Sequence, residues 1–281
     1  MYFSLRLLSL QFILGIALSL LPIVSFAQDD TQAQPIESTQ LSSHQFQIKL
    51  GILYTWVDSN IDISSANIDY ESDLNLDEQT INPSFEASWT YNKKHYFTFN
   101  YFSLRREGQK SSSRELDFGD GNIIERDSVV DSYLNTDFYQ LSYGYDFLQN
   151  EKWALGASVG LHLVDIETEI KSRNDISDTE RQFIYQDTSL PLPNIGLFTH
   201  YQLNEKWRLA ARVQYFYITT DTLYGGLTDL AFAAVYQITP NWSVNGALRY
   251  ENINFNDEWL RLDTELTYVY YGPSLSVAYT F

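Results

Sequence analysis

The chain contains no cysteine. That excludes a disulfide framework and the acylated cysteine of a lipoprotein. It is poor in cations, with 18 Lys and Arg against 36 Asp and Glu, a formal net charge of −18 and a sequence pI near 4.4. So acidic a chain repels a phosphate backbone, which sets nucleic acid aside as a partner. Beyond residue 27 no stretch offers the ~20 apolar residues that a membrane helix needs, and mean hydropathy is −0.27. A low average does not exclude a membrane β-barrel, because a barrel strand shows lipid only every second side chain. No strong catalytic or cofactor motif occurs, so no cofactor and no resident metal are expected.

Aromatic residues are abundant. They make up 16% of the chain, with 21 Tyr, which fits interfacial girdles better than a soluble core. The N-terminus reads as an export signal. Arg6 is the only charge before an apolar run from Leu7 to Leu21, Pro22 breaks it, and Ser25-Phe26-Ala27 supplies small residues at a cleavage site. Cleavage is expected after Ala27, making 1–27 a signal peptide. An uncleaved anchor is the other reading, and the run is short for a full span. Residues 28–43 are rich in Gln, Ser and Thr and carry Pro35, the composition of a flexible periplasmic leader. Residues 44–281 form the remaining region, with no second domain.

From His44 onward the dominant period is two. Phe46, Ile48, Leu50, Ile52, Tyr54 and Trp56 alternate with Gln45, Gln47, Lys49, Gly51 and Thr55, the mark of a strand with one apolar face. The pattern recurs at 80–91, 95–106, 131–148, 152–170, 184–202, 206–220, 226–239, 241–256 and 261–281. Together with 44–57 this predicts a closed antiparallel up-and-down transmembrane β-barrel of about ten strands. Eight or twelve are the neighbouring even counts, since 58–79 and 108–130 have room for short strands.

Connection lengths alternate. Asn92-Lys93-Lys94, Gln149-Asn150-Glu151, Asn204-Glu205 and Thr239-Pro240-Asn241 are tight turns. Segments 58–79, 107–130 and 171–183 are longer and polar, while the last two outer connections, near Asp221 and Asp257, are short. Short periplasmic turns with longer outer loops are the expected asymmetry. Trp153, Trp207 and Trp242 each follow a tight turn. That spacing favours a membrane-interface girdle over three core tryptophans. Tyr279 and Phe281 close an alternating last strand, a signal of the kind the barrel-assembly machinery recognises. Counting back from Phe281 would place Asp263 and Glu265 in lipid. A bulge at Gly272-Pro273 is therefore expected to switch parity, turning Tyr270, Tyr268, Leu266 and Leu262 outward.

The ordered set of local patterns resembles uncharacterised outer-membrane β-barrel proteins of Gram-negative bacteria. It includes 73–77 (Asp-Leu-Asn-Leu-Asp), 91–95 (Tyr-Asn-Lys-Lys-His), 101–106, 160–165, Pro191-Leu192-Pro193, Trp207-Arg208-Leu209 and Gly272-Pro273. The resemblance runs from about residue 44 to the end. It implies location and fold and transfers no site.

Parity points Lys49, Glu86, Asp146, Arg208, Arg212, Asp229, Arg249 and Glu251 into the lumen. Charges in a narrow barrel must pair, so these residues form either a structural network that closes the lumen or the constriction of a narrow pore. The acidic segment 58–79, with seven carboxylates and no Lys or Arg, is expected to be a solvated surface. A Ca²⁺ or Mg²⁺ site there is the alternative, without the Gly of a Ca²⁺ loop. A membrane-embedded lipid hydrolase would need a His and a Ser. Of His44, His95, His162 and His200, only His162 has an inward serine on its own strand, Ser158, about 13 Å along the chain and beyond hydrogen-bond reach. Ser142, inward on the neighbouring strand, stays open.

The expectation is a monomeric, non-enzymatic barrel of the cell outer membrane with a structural or surface-interaction role. A narrow small-solute or ion channel is the alternative. Outer-membrane lipids, lipopolysaccharide and the assembly machinery are the expected partners.

Overall fold

The computed structural model describes residues 44–63, 66–117, 123–174, 179–219, 223–257 and 264–281. The export signal, the leader, the connection at 220–222 and that at 258–263 lie outside the described residues. Among those described, thirteen strands form in chain order: β1 (His44–Ile63), β2 (Ala66–Asp69), β3 (Gln79–Tyr91), β4 (His95–Ser111), β5 (Leu116–Asp117), β6 (Ile123–Ile124), β7 (Val129–Gln149), β8 (Trp153–Asn174), β9 (Thr179–Gln202), β10 (Trp207–Thr219), β11 (Leu223–Gln237), β12 (Trp242–Asp257) and β13 (Thr264–Thr280). Ten of them make the wall, each antiparallel to its neighbours, and β13 closes on β1 from Gln47↔Thr280 to Ile63↔Thr264. The fold is a closed antiparallel ten-strand barrel. The three short strands lie outside the ring: β2 turns back on the end of β1, and β5 pairs only with β6.

Local chemistry explains the tight turns. Asn92 and Lys93 both have positive φ, 50° and 57°, the two-residue turn that matches strand twist. At the next two turns an asparagine repeats one device. Asn150 Oδ1 accepts from the backbone N–H of Lys152 and Trp153, and Asn204 Oδ1 from those of Lys206 and Trp207. Thr239 Oγ1 does the same for Asn241 and Trp242. These side chains stand in for ladder bonds that a reversing backbone cannot make.

The long strands change character part-way. On β8 the outward face runs Trp153, Leu155, Ala157, Val159, Leu161 and Leu163, then turns to Asp165, Glu167 and Glu169. Its inward face does the opposite, from Ala154, Gly156, Ser158, Gly160 and His162 to Val164, Ile166 and Ile170, the last three buried. β7 repeats this, with Leu141 outward below Asp137 and buried Gln140 inward below Phe138 and Leu134. The barrel is inside-out in its tight-turn half and has a conventional apolar core in its loop half. That core gathers Leu53, Val57, Leu104, Leu134, Ile170 and Leu192 with residues of β11, β12 and β13.

The reversal overturns the expected parity switch. Alternation on β13 is unbroken through Gly272-Pro273, and the register with β12 runs continuously from Arg249↔Gly272 to Leu248↔Pro273. Tyr268 and Tyr270 are buried inside the barrel, and Leu266 packs against its core; Leu262 and Asp263 lie outside the described residues. The switch was expected because one outward-apolar rule was applied to the whole strand. In the loop half that rule is reversed, so inward tyrosines need no bulge. The Gly and Pro interrupt pairing rather than register: the ladder to β1 skips from Leu53↔Ser274 to Trp56↔Tyr271 with no offset. A Cβ at Gly272 would stand 1.9 Å from the Tyr54 carbonyl oxygen, which explains the glycine.

Candidate functional site

Segment 58–79 does not behave as a free acidic loop. β1 continues to Ile63, β2 pairs back on it, and the following residues bend into the barrel mouth, where Tyr70, Leu74 and Leu76 join the core. Glu71 goes with them. Its carboxylate accepts from Ser59 N–H at 3.0 Å, from Ser59 Oγ at 2.8 Å and from Arg106 Nη1. Arg106 is 1% exposed, donates to Ser59 Oγ at 2.8 Å and lies 5.5 Å over the Tyr268 ring. The cations missing from 58–79 come from the next hairpin, since Arg114 also pairs Asp73 at 2.6 Å and Lys110 donates to the Ser72 carbonyl. The Thr168 hydroxyl donates to the Tyr133 carbonyl, so its bond with Tyr70 is donated by the phenol. Burial pushes the Tyr70 phenol up to about 12, keeping it a neutral donor.

Beneath this plug lies a charged belt. Register partners place Lys49, Glu86, Asn100, Gln140 and His162 in one row across β1, β3, β4, β7 and β8. Gln214, Asp229, Glu251 and Tyr270 form a second row across β10 to β13. Gln140 Nε2 donates to Gln214 Oε1 at 2.6 Å across the lumen. Lys49 pairs Glu86 at 2.7 Å, and Arg212 pairs Asp229 at 2.9 Å. Tyr270 donates to Glu251 at 2.8 Å. Arg249 lines two small cavities, one shared with Arg212, Asp229 and Glu251 and the other with Lys49 and Glu86. The larger is ≈ 20 Å³, room for about one water.

Six of the eight charged residues named from the sequence therefore meet in one belt. The other two lie nearer the tight turns: Asp146, buried, accepts from Tyr96 at 2.6 Å, and Arg208 is exposed beside Trp207. Trp153, Trp207 and Trp242 face outward and pack on Tyr201, Tyr236 and Tyr279 at 4.5, 4.9 and 4.8 Å. Tyr279 also meets Phe281 at 4.8 Å. Three participants escaped the sequence reading. Arg106 sits at an inward parity that was there to be read. Glu71 gave no signal, because only the folded segment brings it inside. Tyr270 was assigned to the wrong face.

No serine hydroxyl is bonded to His162 among the described residues. Asp229 Oδ2 lies 3.9 Å from its Nε2, and Arg212, Arg249 and Glu251 share its cavity.

No protein-family model matches the sequence, and no curated protein does. Solved structures resemble it in fold. The outer membrane protease OmpT from Escherichia coli aligns at a TM-score of 0.53 with 11% identity, over 87% of this chain and 99% of that one. The translocator domain of the autotransporter NalP from Neisseria meningitidis aligns at 0.44 with 13% identity, over 84% and 87%. The toluene transporter TodX of P. putida aligns at 0.35 with 12% identity, over 84% and 89%. The first likeness bears on the fold alone, and the other two carry no argument. The chain has the fold of an outer-membrane β-barrel protein.

Proposed function

We propose that this protein is a monomeric barrel of the Gram-negative outer membrane with a closed lumen, serving as a membrane-wall or surface-interaction protein rather than as an enzyme or a channel. One observation supports the reading: among the described residues, side chains occupy the lumen at two levels. The plug of Tyr70, Leu74 and Leu76, anchored by Glu71 on Arg106, packs into the apolar upper core. Below it two cavities lined by belt residues have volumes of ≈ 20 and ≈ 10 Å³. Hydrated ions need a continuous water-wide path.

In this reading the tight turns face the periplasm and the outward apolar band meets lipid. Trp153, Trp207 and Trp242 sit at the inner interface. Tyr279 and Phe281 present the last strand to the assembly machinery, after export on a cleaved 1–27 signal. β8 has 22 residues and β9 has 24, about twice the ~9–11 that cross a bilayer. Their charged outer ends then project into the lipopolysaccharide layer, which suits surface contact.

Conductance in planar bilayers tests the proposal. Persistent silence of the purified protein at molar salt is expected. Steady openings whose anion preference falls in Arg208→Ala and Arg212→Ala would establish the channel instead. Hydrolysis of lipid or lipid A, abolished by His162→Ala, would establish an enzyme.

A further inference from the structure

The charged belt contains a constellation that ion pairing does not use up. His162 on β8, Asp229 on β11 and Glu251 on β12 are 4, 4 and 5% exposed. Each offers one ligand atom, and the three atoms lie within 4.8 Å of one another. Two of the residues hold orphaned atoms, for His162 Nδ1 and Glu251 Oε1 are buried without a hydrogen-bond partner. Both residues line the ≈ 20 Å³ cavity. Arg212 Nε, on a residue lining the same cavity, is a third orphan. Buried polar atoms are normally satisfied, and three orphans on one cavity call for a bound group.

Arg212 clamps Asp229 through Nη2 at 2.9 and 3.3 Å, and Tyr270 holds the other oxygen of Glu251 at 2.8 Å. These contacts are the outer supports that orient ligating carboxylates in metal sites. We propose that His162, Asp229 and Glu251 bind one divalent transition-metal ion, with Zn²⁺ the best match, joining three strands across the lumen.

The choice of ion follows from donor type. Lys49, Arg212 and Arg249 formally balance Glu86, Asp229 and Glu251, so charge does not select among divalent ions. The all-oxygen shells of Ca²⁺ and Mg²⁺ leave an imidazole unused. An ion held by directional bonds to one nitrogen and two oxygens is favoured instead. Zn²⁺ takes such ligands at about 2.0–2.2 Å in a tetrahedron, so the three side chains close by about an ångström around it. The cavity has room for a water as fourth ligand. The site goes beyond the closed-barrel reading: it adds a cross-link to the lumen and holds or fails independently of conductance.

The test uses the full protein folded in detergent, stripped with EDTA and titrated with Zn²⁺ in a calorimeter. One ion per chain at micromolar affinity or tighter is expected. In His162→Ala and in the near-isosteric Glu251→Gln, affinity should fall at least tenfold while the barrel keeps its circular dichroism. Zinc-edge anomalous diffraction from wild-type crystals should place a peak between the His162 ring and the Glu251 carboxylate, a readout that needs no variant. A wild-type protein that takes up no Zn²⁺ overturns the proposal. So does uptake unchanged in both folded variants, or an anomalous peak confined to the acidic outer segments.

Discussion

The two halves of this barrel are built from the same strands with opposite rules. Near the tight turns the outward positions of β1 are Phe46, Ile48, Leu50 and Ile52, and the inward ones Gln47, Lys49 and Gly51. Near the loops the outward positions are Asp58, Asn60 and Asp62, and the inward ones Val57 and Ile61, both buried. The solvent outside explains the difference. Where lipid surrounds the wall, apolar side chains face out at no cost and the lumen collects polar groups. Where water surrounds it, the barrel buries apolar groups inside like any soluble domain. The halves also treat charge differently. The belt balances several ions around small cavities, whereas among the described residues the upper core buries the ion pair Arg106–Glu71, covered by the plug.

The largest effect that separates the halves should come from that pair. Arg106→Ala leaves Glu71 buried and unpaired and should cost about 3–5 kcal/mol. Thermal unfolding of the folded barrel measures it. The Arg106→Ala, Glu71→Ala double variant should lose less than the two single losses summed, and simple additivity would mean the ion pair does not hold the plug. Next, Leu104→Ala in the upper core should cost about 2–5 kcal/mol. The matching truncation Leu141→Ala, outward in the lower half, should cost a small fraction of that, because lipid fills the space. Equal losses would erase the distinction between the halves.

One substitution placed at two heights on β9 sharpens the boundary. Ile195→Arg puts a cation in the apolar band and should cost about 2–4 kcal/mol near the midplane. Asp187→Arg, on the same face eight residues higher, should stay within about 0.5 kcal/mol as a surface change. Denaturant titration of each variant in lipid vesicles reads the difference, and similar values at both positions would move the membrane boundary. The smallest effect is expected at the exposed pair Arg105–Asp137, 2.7 Å apart on the outer wall above the band. Arg105→Ala should cost under about 1 kcal/mol, and less at high salt; a loss matching that of Arg106→Ala would mean that burial does not distinguish these adjacent arginines.

Much of the barrel was legible in the sequence because period-two alternation is a local property. It gave ten wall strands whose tight-turn ends lie within about two residues of those found, while β1, β4, β8 and β9 run four to six residues further at the loop side, and Asn150, Asn204 and Thr239 announced their turns. What went wrong on β13 was also local reasoning, pushed past the level where its premise holds. No residue near Gly272 reports how far it stands from the bilayer, and that height decides whether Tyr270 belongs inside or out. The candidate site was legible only in part. Parity gave the inward charges, but which of them meet depends on the stagger between strands and on contacts across the lumen.

By itself, then, the sequence determined the alternation, the turn chemistry, the aromatic residues after the turns and the stock of inward charges, since each follows from neighbours along the chain. Only the tertiary structure decided the reversal of the two faces, the entry of Glu71 into the lumen to meet Arg106, and the convergence of His162 with Asp229 and Glu251. The reason is that ring closure brings together residues as far apart along the chain as Phe46 and Phe281, whose backbones are hydrogen-bonded. Contacts across a closed lumen are set by the curvature and stagger of the whole wall, which no single strand encodes.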